Sequence, residues 1–219
     1  MAMARFKLVV FDWDGTVADS LHFIVEAMKA AIGQAQLPVK ETGEIMRIIG
    51  LGLDEAATEL YPDVDTSVRE ELITYYRYHY LSTTTGGTVL YPRAEDTLVK
   101  LKNEGYLLAI ATGKSRRGLD RALGDTNLKQ YFQASRCADE TFSKPHPQML
   151  YELMEMLGTD PAQTVMVGDS EHDLQMAVNA GVASVAVSYG AQPINRLLDF
   201  NPLTGIHCLS ELPAWLNTQ

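Results

Sequence analysis

The feature that most constrains this chain is Lys7-Leu-Val-Val-Phe-Asp12-Trp-Asp14-Gly15-Thr16, an apolar run that ends in two carboxylates one residue apart. Leu8 to Phe11 show no polar alternation, so the strand they predict is buried on both faces, as in a parallel sheet covered by helices. Ligands of such sheets sit beyond the carboxyl ends of the strands, which is where Asp12 and Asp14 project. Gly15 permits a tight turn with its N–H groups toward a ligand, and Thr16 adds a hydroxyl donor, so the loop can hold an anion beside two carboxylates. A carboxylate and a bound anion need a cation between them. Ordinary turn chemistry accounts for an Asp followed by Gly equally well. A calcium loop of the EF-hand type does not, because Gly falls fourth instead of sixth and Phe23 stands where the bidentate Glu belongs.

Beyond this strand the pattern is helical. Ser20–Gln36 carries Leu21, Ile24, Val25, Met28 and Ala31 at helical spacing and is broken by Pro38. Helices are also predicted over Thr42–Ile49, Leu53–Leu60 and Thr66–Leu81, followed by a small-residue linker, Ser82–Thr88. From Val89 on, helix and buried strand alternate: helices Ala94–Asn103, Ser115–Leu123, Pro147–Leu157 and Glu171–Ala180, with strands Leu107–Ala111, Ala134–Cys137, Thr164–Val167 and Ala183–Val187. A last unit reads as helix Pro193–Asp199, strand Ile206–Leu209 and helix Glu211–Leu216. Such alternation marks an α/β fold with a doubly wound parallel sheet. The expected organisation is a Rossmann-like core of residues 1–17 and 87–219, interrupted by a helical-bundle insert of residues 18–86. A chain of 219 residues buries about 70% of its unfolded surface and needs no staples.

Composition removes several function classes. Eighteen basic against 28 acidic residues give a formal charge of −10, and nucleic-acid binding needs a basic face. No apolar stretch reaches the length of about 20 residues that spans a membrane, and the N-terminal residues show no signal h-region, so a cytoplasmic setting is expected. Cys137 and Cys208 are too few for a disulfide framework or zinc site and are read as reduced thiols.

Three further signals fall at predicted strand ends. Thr112-Gly113-Lys114-Ser115 combines a hydroxyl, a glycine and a helix start, an anion cradle in which Ser115 also fits a simple N-cap. Ser143-Lys144-Pro145-His146-Pro147 sets a Lys against a rigid Pro, with Pro147 suited to a helix start. Gly168-Asp169-Ser170-Glu171-His172-Asp173 clusters carboxylates at a helix N-terminus, where they also complement the dipole.

In this order, Asp12-x-Asp14-Gly-Thr, Thr112-Gly113, Lys144-Pro145-x-Pro147 and Gly168-Asp169-x-x-x-Asp173 resemble the four motifs of the haloacid dehalogenase-like superfamily, over essentially the whole chain. A helical insert after the first motif resembles its members with a helical cap, phosphoglycolate phosphatases and β-phosphoglucomutases among them. The resemblance implies that Asp12 attacks phosphorus to give an aspartyl-phosphate, while Asp14 protonates the leaving oxygen and then deprotonates water. It implies Mg2+ held by Asp12, the Asp14 carbonyl and Asp169, with Lys144 offsetting charge on the same oxygens. Gly15, Thr16, Thr112 and the Gly113 N–H would bind the phosphoryl group, and Asp173 would hold Lys144 or a metal-bound water. The carboxylate at Asp14 favours phosphoryl transfer over dehalogenation. A phosphatase acting on a small phosphorylated metabolite, as a monomer or weak homodimer, is the reading that follows. A mutase uses a His where Ile24 stands, and a non-catalytic scaffold on the same fold is the alternative of another class. Within the insert, the loop Ile49-Gly50-Leu51-Gly52-Leu53 resembles the cap loop that reaches substrate, and Arg47 and His22 are candidate contacts. The aromatic run Tyr75, Tyr76, Tyr78 and Tyr80 is read as core of the insert.

Overall fold

A computed structural model describes residues 5–84 and 86–219; residues 1–4 of the expected core segment and Thr85 of the expected linker lie outside the described residues. Six parallel strands form one sheet in the order β3-β2-β1-β4-β5-β6. They are β1 (Leu8–Phe11), β2 (Leu107–Thr112), β3 (Ala134–Cys137), β4 (Thr164–Gly168), β5 (Ala183–Val187) and β6 (Thr204–Ile206). β1 lies at the centre, with Val10 aligned to Ala109 on one side and Met166 on the other.

The period-two alternation of each strand sorts its side chains into two buried layers. Val9, Phe11, Leu108 and Ile110 pack against α5 (Ala94–Asn103), α6 (Arg116–Thr126) and α10 (Leu212–Leu216) through Leu98, Leu119 and Leu212. Leu8, Val10, Ala109 and Met166 pack against α7 (Gln148–Leu157) and α8 (Glu171–Ala180) through Leu150, Leu153 and Met176. This two-sided burial explains why β1 is apolar at every position. A short α9 (Ile194–Leu197) leads to the sheet edge.

The edge strand differs from expectation, because Leu203 N–H donates to Ser184 and sets Thr204–Ile206 against β5. Leu209 instead enters a 3-10 turn that buries its side chain beneath α10.

Between β1 and β2 the chain forms α1 (Leu21–Gln34), α2 (Thr42–Arg47), α3 (Leu53–Leu60) and α4 (Thr66–Thr83), around an apolar cluster of their own that includes Ile24, Met28, Ile45, Leu60, Leu72 and Tyr76. Because α4 runs to Thr83, Ser82 and Thr83 are helical where the linker was expected. Of the tyrosines, Tyr76 is buried, Tyr75 and Tyr80 are half-buried against the cluster, and Tyr78 is exposed. The segments entering and leaving this region pair with each other: Asp19 N–H donates to Val89 and Tyr91 N–H to Val17, at 2.9 and 3.1 Å. Cys137 and Cys208 are both free thiols.

Candidate active site

The strand order reverses at β1, whose neighbours β2 and β4 lead the chain away in opposite directions. The crevice of such a sheet opens at this point, beyond the carboxyl ends of the strands. Asp12 leaves β1 here, its N–H donating to Val167 of β4 at 2.9 Å, and Asp169 leaves β4 beside it. Lys144 enters from the β3–α7 loop with its side chain wholly buried, its ammonium 2.7 Å from Asp12 Oδ1 and 2.5 Å from Asp173 Oδ1. Asp173 Oδ2 accepts from the Ser170 hydroxyl and N–H, a capping box that starts α8 and fixes the carboxylate. Asp169 accepts from the Thr16 hydroxyl at 2.9 Å and from Ala191 N–H at 2.7 Å. Gly15, at φ +81°, passes so close that a Cβ there would lie 2.7 Å from the Asp169 carboxyl carbon.

Asp12, Asp169 and Asp173 each offer a carboxylate oxygen, and these atoms lie within 4.8 Å of one another in a buried group. Against these three carboxylates the cluster sets one ammonium, Lys144, leaving two negative charges uncompensated. Burial, then Asp173, pushes the Asp12 carboxyl well above its ordinary range, and burial, then Asp173, lifts Asp169 to about 7. A divalent cation is the charge that this cluster lacks, and buried carboxylate oxygens are the donors that a hard cation takes. The residues present therefore fit a metal site.

A second cluster surrounds Asp14. Ser20 donates to its Oδ1 at 2.5 Å, and the Lys114 ammonium stands 3.0 Å from its Oδ2. Lys114 follows β2, where its N–H donates to the Thr112 hydroxyl at 3.2 Å. Its ammonium also donates to the Tyr80 hydroxyl at 3.1 Å and lies 4.8 Å from that ring's centroid, so α4 reaches into the site. Burial would push this ammonium down, but Asp14, with Tyr80 and Tyr76, holds it above the ordinary lysine value.

A cavity of about 560 Å³ brings together Asp12, Asp14, Thr112, Gly113 and Lys114. Facing them, the inserted region contributes a largely apolar lining, with Ile24, Met28 and Tyr76 from its helices and Ile49 from the α2–α3 loop. The loop Ile49–Leu53 closes over the sheet ends: Gly52 N–H donates to the Ser143 hydroxyl at 2.8 Å, and a Cβ on Gly113 would lie 2.6 Å from Gly50 O. His172 Nε2 meets the Arg47 carbonyl at 2.8 Å.

Of the residues singled out in the sequence, Asp12, Asp14, Thr112 and Gly113 line the cavity, whereas Lys144, Asp169 and Asp173 are buried around Asp12. Thr16, expected to donate to a phosphoryl group, instead donates to Asp169, because a buried carboxylate takes the nearest donor. Arg47 lines a separate cavity beside His172 and Arg196, and His22 is exposed with its ring against Phe23; neither lines the main cavity. Lys114, Ser20 and Tyr80 were missed as site residues. For Lys114 a signal existed, since it directly follows the Thr112-Gly113 pair; nothing in the sequence brings Tyr80 of α4 to it.

Residues 9–187 match a protein-family model described as haloacid dehalogenase-like hydrolase. The chain is 34% identical over 211 residues to a probable phosphatase, IndB, of Dickeya dadantii, covering 94% of this chain and 91% of that one. It is 30% identical to the pyrophosphatase PpaX of Bacillus mycoides, covering 84% and 85% of the two chains. The crystal structure of a predicted phosphoglycolate phosphatase from Haemophilus somnus superposes over the full length of both chains, with a TM-score of 0.86 and 26% identity.

Proposed function

The chain belongs to the haloacid dehalogenase-like hydrolases, and from that premise we propose that it is a Mg2+-dependent phosphatase that hydrolyses a small phosphate monoester, phosphoglycolate or a close analogue, through a phosphorylated Asp12. The observation that carries this reading is the arrangement of Asp12, which faces the cavity while its Oδ1 is held by the buried Lys144. Oδ2 is left to attack phosphorus in line as the bond to the leaving oxygen breaks. Asp14, on the same wall, gives its proton to that oxygen. In the second step Asp14 takes a proton from water, the water oxygen attacks phosphorus, the bond to Asp12 breaks and phosphate leaves. The Thr112 hydroxyl and Gly113 N–H orient the phosphoryl oxygens. Asp12, Asp169 and the Asp14 carbonyl would hold the cation, with Asp173 fixing Lys144 beside it. When bound, Mg2+ supplies positive charge that lets an anionic nucleophile meet an anionic substrate.

Residues 18–86 act in this reading as a cap over a core of residues 1–17 and 87–219, opening about the paired segments near Asp19 and Val89. Ile24 adds an apolar side chain to the cavity wall where a mutase would need a proton-carrying group. Phosphate release from a panel of esters, with and without Mg2+, tests the proposal. Metal-dependent turnover that disappears in Asp12→Asn is expected; turnover by that variant, or none by the wild type, would overturn it.

A further inference from the structure

Four cationic side chains border the cavity, and three of them, Arg77, Arg117 and Arg121, are exposed. Lys114 differs. Only 11% of its side chain is accessible, and it stands on the same wall as Asp12 and Asp14. A lysine ammonium carries three donors. Among the described residues it has two partners, Asp14 Oδ2 at 3.0 Å and Tyr80 OH at 3.1 Å, so its donor capacity is not exhausted. Tyr80 in turn is held by Tyr76, whose ring stacks on it at 5.7 Å, so the ammonium is positioned from both sides of the cavity.

We propose that Lys114 determines leaving-group specificity by binding a carboxylate or phosphoryl oxygen that the leaving group carries next to the scissile oxygen. The substrates are then phosphate compounds with an anionic leaving group. The inference rests on the phosphatase reading, in which Asp14 serves the leaving oxygen. With the ammonium 3.0 Å from that carboxylate, an anionic oxygen two or three bonds from the leaving oxygen falls within its reach. A charge on a distant tail would meet the exposed arginines instead. Among the described residues that line the cavity, the other cations are the exposed arginines, so an anion beside the leaving oxygen finds its sheltered cation in Lys114, and a neutral leaving group forgoes that charge-assisted contact.

The test compares kcat/KM, at saturating Mg2+, for three probes: phosphoglycolate, inorganic pyrophosphate and 2-hydroxyethyl phosphate, the last being a neutral counterpart of the first. A charge-assisted hydrogen bond predicts that the wild type favours at least one anionic probe over the neutral one by about 10- to 100-fold. Lys114→Met and Lys114→Gln should bring that ratio to within about threefold of unity, while Arg121→Ala leaves it in place. If Lys114 served only to hold Asp14, both kinds of ester would slow together and the ratio would not move. Which anionic probe is favoured tells a carboxylate-bearing leaving group from a phosphoryl one. A wild-type ratio near unity, or a preference that survives in both Lys114 variants, overturns the proposal. Should those variants fold poorly, a wild-type ratio near unity still overturns the proposal. Failure of the wild type to release phosphate from any of the three probes, or from p-nitrophenyl phosphate as a generic fourth, would instead sink the phosphatase reading beneath it.

Discussion

Replacing Lys144 with Met should expose how far the anionic cluster depends on one ammonium. The side chain is wholly buried and touches two buried carboxylates, Asp12 at 2.7 Å and Asp173 at 2.5 Å. Removing one member of a buried ion pair costs about 3–5 kcal/mol, because the partner is left charged and unpaired. For a domain of this length, each kcal/mol corresponds to about 2–4 °C in Tm, so a fall of roughly 6–20 °C is expected. The deficit should depend on pH. Asp12 and Asp169 already have raised carboxyl pKa values, and losing the ammonium raises them further. The folded state then binds more protons than the unfolded one above the ordinary carboxylate range, so stability falls as pH rises. Denaturant unfolding of wild type and Lys144→Met in chelator, at about pH 5 and about pH 8, measures this directly. A deficit below about 1 kcal/mol at the higher pH, or one that does not shrink at the lower, would refute the charge argument.

The same cluster predicts that metal-free wild type loses stability as pH rises from about 4 to about 7, since Asp169 is lifted from 3.8 to about 7 by burial and then Asp173. Added Mg2+ should therefore raise Tm more at about pH 8 than at about pH 5, with a stabilisation of about 2.7 kcal/mol at a hundredfold excess over Kd, and Asp169→Asn should abolish most of the gain in a thermal-shift titration. At Gly113, a Cβ would press on Gly50 O at 2.6 Å, so Gly113→Ala should displace the Ile49–Leu53 loop. Steady-state kinetics should show a loss of about 10²-fold in kcat/KM, the scale of a 1 Å misplacement, and Tm should fall as well, because the atoms met are backbone.

The sheet was legible because β1, β2 and β4 carry uninterrupted apolar runs, Leu8–Phe11, Leu107–Ala111 and Val165–Val167, and burial on both faces leaves a parallel sheet as the simple solution. The edge was less so: β6 is three residues long, and its register against β5 is set by backbone contacts, among them Leu203 N–H to Ser184 O and Ser188 N–H to Ile206 O, that side-chain pattern does not encode. Asp12, Asp14, Thr112, Lys144 and Asp169 could be picked out because each stands at a strand end or in a loop beyond one, and Asp173 because it sits in the first turn of the helix that follows. What they touch could not. Thr16 reads as a ligand donor in isolation, but the strand order brings it to Asp169, 153 positions away. Lys114 and Tyr80 meet only because the C-terminal part of α4 reaches the loop that follows β2, and Arg47 and His22 point elsewhere because burial in the inserted helices favours their apolar neighbours.

In the proposed reaction Asp12 carries the phosphoryl group between substrate and water. Rapid acid quench of the wild type with a phosphate-labelled substrate, followed by peptide mapping, tests it most directly. Label on the peptide containing Asp12, formed before phosphate is released and absent in Asp12→Asn, is the predicted result. Phosphate released in a single turnover with no label ever appearing on that peptide would contradict the account.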